Sequence, residues 1–169
     1  MFVEVVVVAL TVSIVYTNPI VERAVDQSKI CLAEHNRLRA LHLNTPNLVL
    51  DSALTASAQK WADYLQNSNT FVHSKAKGYG ENLYYSSGYP AGSDCVRASN
   101  SWYSEIKSYS YNNPTFSSRT GHFTQLVWKS STKVGFGISF KGSSVIVVAQ
   151  YSPAGNVLSQ FKQNVMPKK

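Results

Sequence analysis

The pattern that most limits what this chain can fold into lies towards its C-terminal end, where Val134, Phe136, Ile138 and Phe140 alternate strictly with glycine or serine. A period of two puts all four apolar side chains on one face of a strand. Lys141, Gly142 and Ser143 break the run, and the apolar stretch at 145–151 reads as a second, buried strand. The two make a hairpin whose apolar face has to be covered, and the rest of the chain offers helices to cover it.

Asn18 followed by Pro19 is a cap with proline at the first helical position, which predicts a helix running to Arg39. Asp51 caps the next helix, in which Leu54, Ala58, Trp61, Ala62 and Leu65 recur at steps of three and four and so share a face. Residues 67–77 read as a polar loop around His73, and 82–85 as a short strand after a turn at Gly80. Asp94 opens a helix that carries Trp102, Glu105 and Ile106 and ends at Asn112-Asn113-Pro114. A shorter helix is expected over 122–128. Helices interrupting a small set of strands give an α+β chain.

At 169 residues, with only 15% charged side chains, the chain fits one domain that buries roughly two thirds of its unfolded surface. No repeat or linker divides it. The apolar stretch at 5–16 is too short to span a bilayer, which takes about 20 residues. It reads instead as the core of a signal peptide at 1–17, cut near Thr17, leaving a domain at 18–169 and a secreted, extracellular protein. A buried N-terminal strand is the alternative. Phe2 stands where N-myristoylation requires glycine, so that anchor is excluded.

Six pieces then recur in a recognisable order: EHNRLR at 34–39, DSALTASAQKWA at 51–62, GEN at 80–82, WYSE at 102–105, GHFTQLVW at 121–128 and YSPAGNV at 151–157. This succession resembles the CAP superfamily of cysteine-rich secretory, antigen 5 and pathogenesis-related proteins, and within it the Golgi-associated plant pathogenesis-related group. The resemblance implies a three-layer α-β-α sandwich. It also implies that His73, Glu81, Glu105 and His122 converge in a central cleft. Two neutral imidazoles can ligate Zn²⁺, with the carboxylates as outer-shell or weak inner ligands. His35 and His42 stay outside that tetrad; His35 is expected to pack in a helix, with Asn36 and Arg39 bonding to the body of the domain.

Cys31 and Cys95 are the only cysteines and are read as two isolated buried thiols, with a single bridge between them as the alternative. Seven of the ten tyrosines fall within 79–111, which suggests an aromatic wall beside the cleft able to hold a sterol or a fatty acid. The FTQLVW segment at 123–128 resembles the sterol-contacting stretch described for the superfamily.

Sixteen Lys and Arg against nine Asp and Glu favour acidic partners. Lys162, Lys168, Lys169, Arg119, Lys129 and Lys133 are candidates for meeting an anionic membrane surface. Nucleic acid is excluded as a partner because no basic cluster interleaves with aromatic residues in the manner of a binding motif. The functional expectation is a non-enzymatic binding module for a lipid, a metal or a protein partner. A hydrolase using Ser86 or Ser87 with His73 or His122 and Glu105 is the alternative, although no GxSxG elbow is present.

Overall fold

The computed structural model describes residues 19–169 except 76 and 89–91, and over 19–26 it describes the backbone alone. The proposed leader at 1–17 and its alternative as a strand lie outside the described residues. In chain order the elements are α1 (Pro19–Arg39), β1 (Val49–Leu50), α2 (Ser52–Ser68), β2 (Gly80–Ser87) and α3 (Asp94–Ser104). A 3₁₀ turn at Glu105–Ser108 follows, then α4 (Gly121–Leu126), β3 (Lys133–Lys141), β4 (Ser144–Ser152) and α5 (Phe161–Asn164).

The hairpin forms as its alternation requires. β3 and β4 pair antiparallel with Phe136 opposite Ala149, and β2 joins the far side of β4 with Leu83 opposite Val148. The short β1 adds in parallel to β3, giving the order β1-β3-β4-β2. Val134 and Phe136 turn to one face with Val145, Val147, Ala149 and Tyr151, against Leu38, Cys95, Trp102, Phe123 and Leu126 from α1, α3 and α4. Ile146, Val148 and Leu83 turn to the other face, against Ala58, Ala62 and Leu65 of α2. The fold is therefore a three-layer α-β-α sandwich.

The residues that alternate with the β3 apolar set explain how close α2 can lie. A Cβ on Gly135 would fall 2.1 Å from the Thr55 nitrogen, and one on Gly137 would fall 2.2 Å from the Ala58 carbonyl carbon. Only glycine lets backbone rest on backbone here. Asp51 caps α2 as expected, its carboxylate accepting from the amides of Ala53 and Leu54 at 3.0 Å each.

β1 covers only the first two residues of β3, so β3 beyond them and β2 are the free edges of the sheet, and each carries a side chain that closes part of it. The Gln59 amide of α2 brackets Ile138 of β3, accepting from its N–H and donating to its carbonyl, both at 2.9 Å. On the opposite edge the Trp102 indole donates to the Leu83 carbonyl of β2 at 2.9 Å. Such plugs deny an edge to a foreign strand.

Two features fix α1. Arg39 is fully buried, and its guanidinium donates to the carbonyls of Pro46, Leu126, Trp128 and Ser131 at 2.8–3.0 Å. Asn36 exchanges two hydrogen bonds with the Leu48 backbone. These are the roles expected of EHNRLR. The second feature corrects the reading of the cysteines as separate thiols: Cys31 of α1 and Cys95 of α3 form a disulfide. Where the two helices meet, the Cα atoms come within 4.8 Å of each other, inside the range a bridge needs.

The elements differ from the sequence reading in several places. α2 runs through Asn67, and β2 extends to eight residues. α3 stops at Ser104, so Glu105 opens the 3₁₀ turn and the helix does not reach Asn112. β1 and α5 were not anticipated, being only 2 and 4 residues long.

Candidate functional site

The four tetrad residues form two His–Glu pairs. His73, on the loop after α2, contacts Glu81 of β2 through Nδ1 at 2.9 Å. The same Glu81 oxygen accepts from the Ser74 amide at 2.9 Å, and its other oxygen accepts from the Gln150 amide of β4 at 3.0 Å. The Glu81 side chain is only 7% exposed, whereas His73 is 61% exposed, so a buried carboxylate orients a solvent-facing imidazole. Burial pushes the Glu81 carboxyl up, but the bonds from His73, Gln150 and Ser74 outweigh it and hold the group below its ordinary value. The bond to Glu81 raises His73 above its ordinary value, against a smaller opposing effect of burial.

The second pair is built on a helix start. His122 Nδ1 lies 2.7 Å from one oxygen of Glu105. The other oxygen accepts from the amides of His122 and Phe123 at 3.0 and 3.1 Å. Glu105 thereby satisfies two free N–H groups in the first turn of α4 while holding the ring. The Trp102 indole lies nearly parallel to the imidazole, with centroids 6.4 Å apart. Trp102 and Glu105 thus both meet His122 from either side of the junction of α3 with the 3₁₀ turn.

The two pairs are joined through Asn82. It follows Glu81 in β2, and its amide donates to the His122 carbonyl at 3.0 Å and to the Tyr151 hydroxyl at 3.3 Å. Each carboxylate engages Nδ1 of its imidazole, the arrangement that leaves Nε2 available to a metal. Among the described residues no group of three or more His, Cys, Asp or Glu side chains gathers closely enough to hold an ion. The four residues thus stand as two pairs, each an imidazole backed by a carboxylate.

Ser86 and Ser87 stand at the other end of β2, opposite Val145 and Ser144 beside the β3–β4 turn. Five residues of strand put Ser86 about 16 Å from Glu81. The Ser-His-Glu arrangement drawn from sequence therefore does not assemble. FTQLVW requires a correction too: all six residues are buried, at 1% exposure or less, as part of the core and of α4. A segment with no accessible surface cannot present a sterol-contacting face.

The tyrosines do not make one wall. Tyr103 and Tyr109 pack on Phe123, Tyr84 meets Trp102 edge-on, Tyr85 meets Phe71 on the outside, and Tyr79 contacts Ser57 of α2. Tyr89 lies outside the described residues. Of the basic candidates, Lys133 pairs with Asp51 at 3.2 Å and Lys168 lies over the Tyr103 ring. Lys162, Lys169 and Arg119 are exposed and Lys129 is half-buried.

His35 is a core residue, as predicted, between the Tyr151 hydroxyl at 2.8 Å and the Cys31 carbonyl at 3.0 Å. His42 is buried too, bridging the Met166 carbonyl and the Tyr103 hydroxyl. Sequence reasoning missed Gln150, Ser74 and Asn82 as partners of the pairs. Gln150 had a legible signal: it is the one amide in an otherwise apolar strand.

Residues 32–151 match the family described as the cysteine-rich secretory protein family, CAP. The chain belongs to the CAP family. It is 42% identical over 144 residues to Protein PRY2 of Saccharomyces cerevisiae, covering 84% of this chain and 42% of that protein. It is 40% identical over 144 residues to Golgi-associated plant pathogenesis-related protein 1 of Homo sapiens, covering 82% of this chain and 91% of that protein. The chain thus spans less than half of the yeast relative but nearly all of the human one. Among solved structures, NaASP2 with Zn²⁺ superposes with a TM-score of 0.70 at 26% identity, covering 85% of this chain and 87% of that one.

Proposed function

We propose that this CAP protein is a secreted, non-catalytic binding module that takes one Zn²⁺ weakly through the Nε2 atoms of His73 and His122. The observation that carries the reading is the matched pairing of each imidazole with a carboxylate at Nδ1, at 2.9 and 2.7 Å. A carboxylate behind a histidine fixes the ring and raises its basicity as a ligand. The description of NaASP2 with Zn²⁺ supports the metal as candidate. Bound zinc would supply a Lewis-acidic positive charge. Glu81 and Glu105 would hold the two rings in orientation, and neither is free of its backbone partners to become a strong inner ligand.

Two protein ligands are fewer than the three or four of tight zinc sites, so the affinity should be modest. Zinc needs neutral imidazole, and His73 holds its proton to a higher pH than a free histidine does. Uptake should therefore begin to fall above pH 6.5 as the solution is acidified. Secretion is supported by the leader-like stretch at 5–16 and by the family's description.

The test uses protein recovered from culture medium, with its N-terminus read by mass spectrometry, titrated with zinc by calorimetry at pH 7.5. A mature start near Asn18, and uptake of one zinc that is abolished in the double variant His73→Ala/His122→Ala, are expected. Equal zinc uptake by the variant would show the pairs to be purely structural, and confinement of the whole chain to the cytosol would overturn secretion.

A further inference from the structure

A groove of about 510 Å³ runs along the outer side of α2, apart from the His–Glu pairs' imidazoles but sharing the Ser74 loop. Its floor is made of small residues, Ala53, Ala56 and Ser57, and one wall is an aromatic pair. The Trp61 and Tyr64 rings stack with centroids 4.8 Å apart and planes 18° from parallel. The Trp61 indole is held by its N–H, which donates to the Val72 carbonyl at 3.1 Å. Tyr64 is 52% exposed. The platform is built before any ligand arrives, so little side-chain entropy remains to be lost on binding.

The rim is polar and basic. Ser57 and Tyr79 hydroxyls lie 3.3 Å apart, and Ser74 and Lys60 complete the lining. Lys75 and Lys77, both exposed, belong to the loop between Ser74 and Tyr79. Among the described residues no carboxylate lines the groove. A ligand suited to this surface has one flat apolar face, several hydroxyls and negative charge. A sterol or acyl chain fits poorly, because so open a groove would leave most of its surface in water.

We propose that the groove binds an acidic oligosaccharide, one sugar ring lying on the outward face of the Tyr64–Trp61 stack and its carboxylate meeting Lys60. The C–H face of a pyranose is the apolar face the rings require, and the rim hydroxyls and the lysine answer its polar edge. The site is separate from the proposed zinc ligands and stands without them.

Trp61 makes the site directly readable. Trp102 and Trp128 are 2% and 1% exposed, so the solvent-sensitive tryptophan emission belongs to Trp61. Full-length mature protein, kept in EDTA so that zinc plays no part, is titrated with tetragalacturonate while emission is followed, with calorimetry as a second readout. Saturable binding is expected, weakened at least about tenfold in Tyr64→Ala and at least about threefold in Lys60→Ala, with cellotetraose at least about tenfold weaker. Both variants alter exposed positions of α2, and an unchanged unfolding temperature verifies their fold. Absence of saturable binding by both readouts would overturn the proposal. So would equal binding of tetraglutamate, which would mark an acidic-peptide surface, or undiminished binding by Tyr64→Ala, which would place the ligand elsewhere.

Discussion

Acidifying the protein from pH 6.5 to 4.5 should cost it stability chiefly through one side chain that never touches a ligand. His35 is 0% exposed, with Nδ1 on the Cys31 carbonyl and near the Ser99 hydroxyl, and Nε2 on the Tyr151 hydroxyl. A carbonyl can only accept, so Nδ1 carries the proton and Nε2 accepts from Tyr151. Burial, with a smaller contribution from the nearby Arg39 charge, pushes His35 down to about 3 despite the favourable bond to Cys31. In the unfolded chain the same group titrates near 6.5. Between those values the unfolded state holds a proton the folded state refuses, so the stability that neutral His35 contributes is complete above pH 6.5 and shrinks as pH falls. The slope approaches about 1.4 kcal/mol per pH unit once the unfolded histidine is fully protonated, and because that group is only half protonated at pH 6.5 the loss across the two units is about 2 kcal/mol. His42, lowered by burial, adds in the same direction. His73 is raised, so it takes up its proton at a higher pH folded than unfolded and works in the opposite direction at the top of this window. Urea unfolding at half-unit pH steps measures the slope, and His35→Gln should reduce it by close to one proton. A His35→Gln variant that folds at pH 7.5 and keeps the wild-type slope would refute the reasoning.

Removing the Cys31–Cys95 bridge, which closes 64 residues, by the double change to alanine should lower stability by about 4 kcal/mol in chemical unfolding; a loss under about 1 kcal/mol would show that α1 and α3 need no covalent tie. Gly137→Ala should destabilise by about 1–3 kcal/mol, because the added methyl meets the Ala58 backbone at 2.2 Å and α2 has to lift off the sheet. An unaltered unfolding midpoint for that variant would mean the helix moves freely.

What the sequence made legible follows from how local each cause is. The β3 alternation and the Asp51 cap act within a few residues, and both appear where they were read. The bridge was not legible, because the meeting of α1 with α3 depends on how both helices lie on the sheet. The tyrosine wall failed for a reason of strand geometry. Tyr84 and Tyr85 are neighbours in sequence but face opposite sides of β2, one towards Trp102 and the other towards Phe71. The FTQLVW run was too short for periodicity to separate a buried helix from an exposed aromatic strip. The tetrad was legible only through likeness to a family, since its members come from four segments with no shared spacing.

The same strand geometry explains why GEN is one unit and not three residues. Consecutive side chains of β2 point to opposite faces, so Glu81 reaches the α2 side, where Gln150 and the His73 loop meet it, while Asn82 reaches the other side and holds the His122 carbonyl. Gly80 before them is fixed by space: a Cβ there would lie 1.9 Å from Oε1 of the Gln125 side chain, the atom that accepts from the Gly155 amide. One short stretch of backbone therefore sets the loop that carries the first imidazole, the helix that carries the second, and the turn after β4. A one-residue slip of β2 against β4 would exchange the two faces and break both attachments together. The placement of both His–Glu pairs is thus governed by the register of a strand, which is a rigid element.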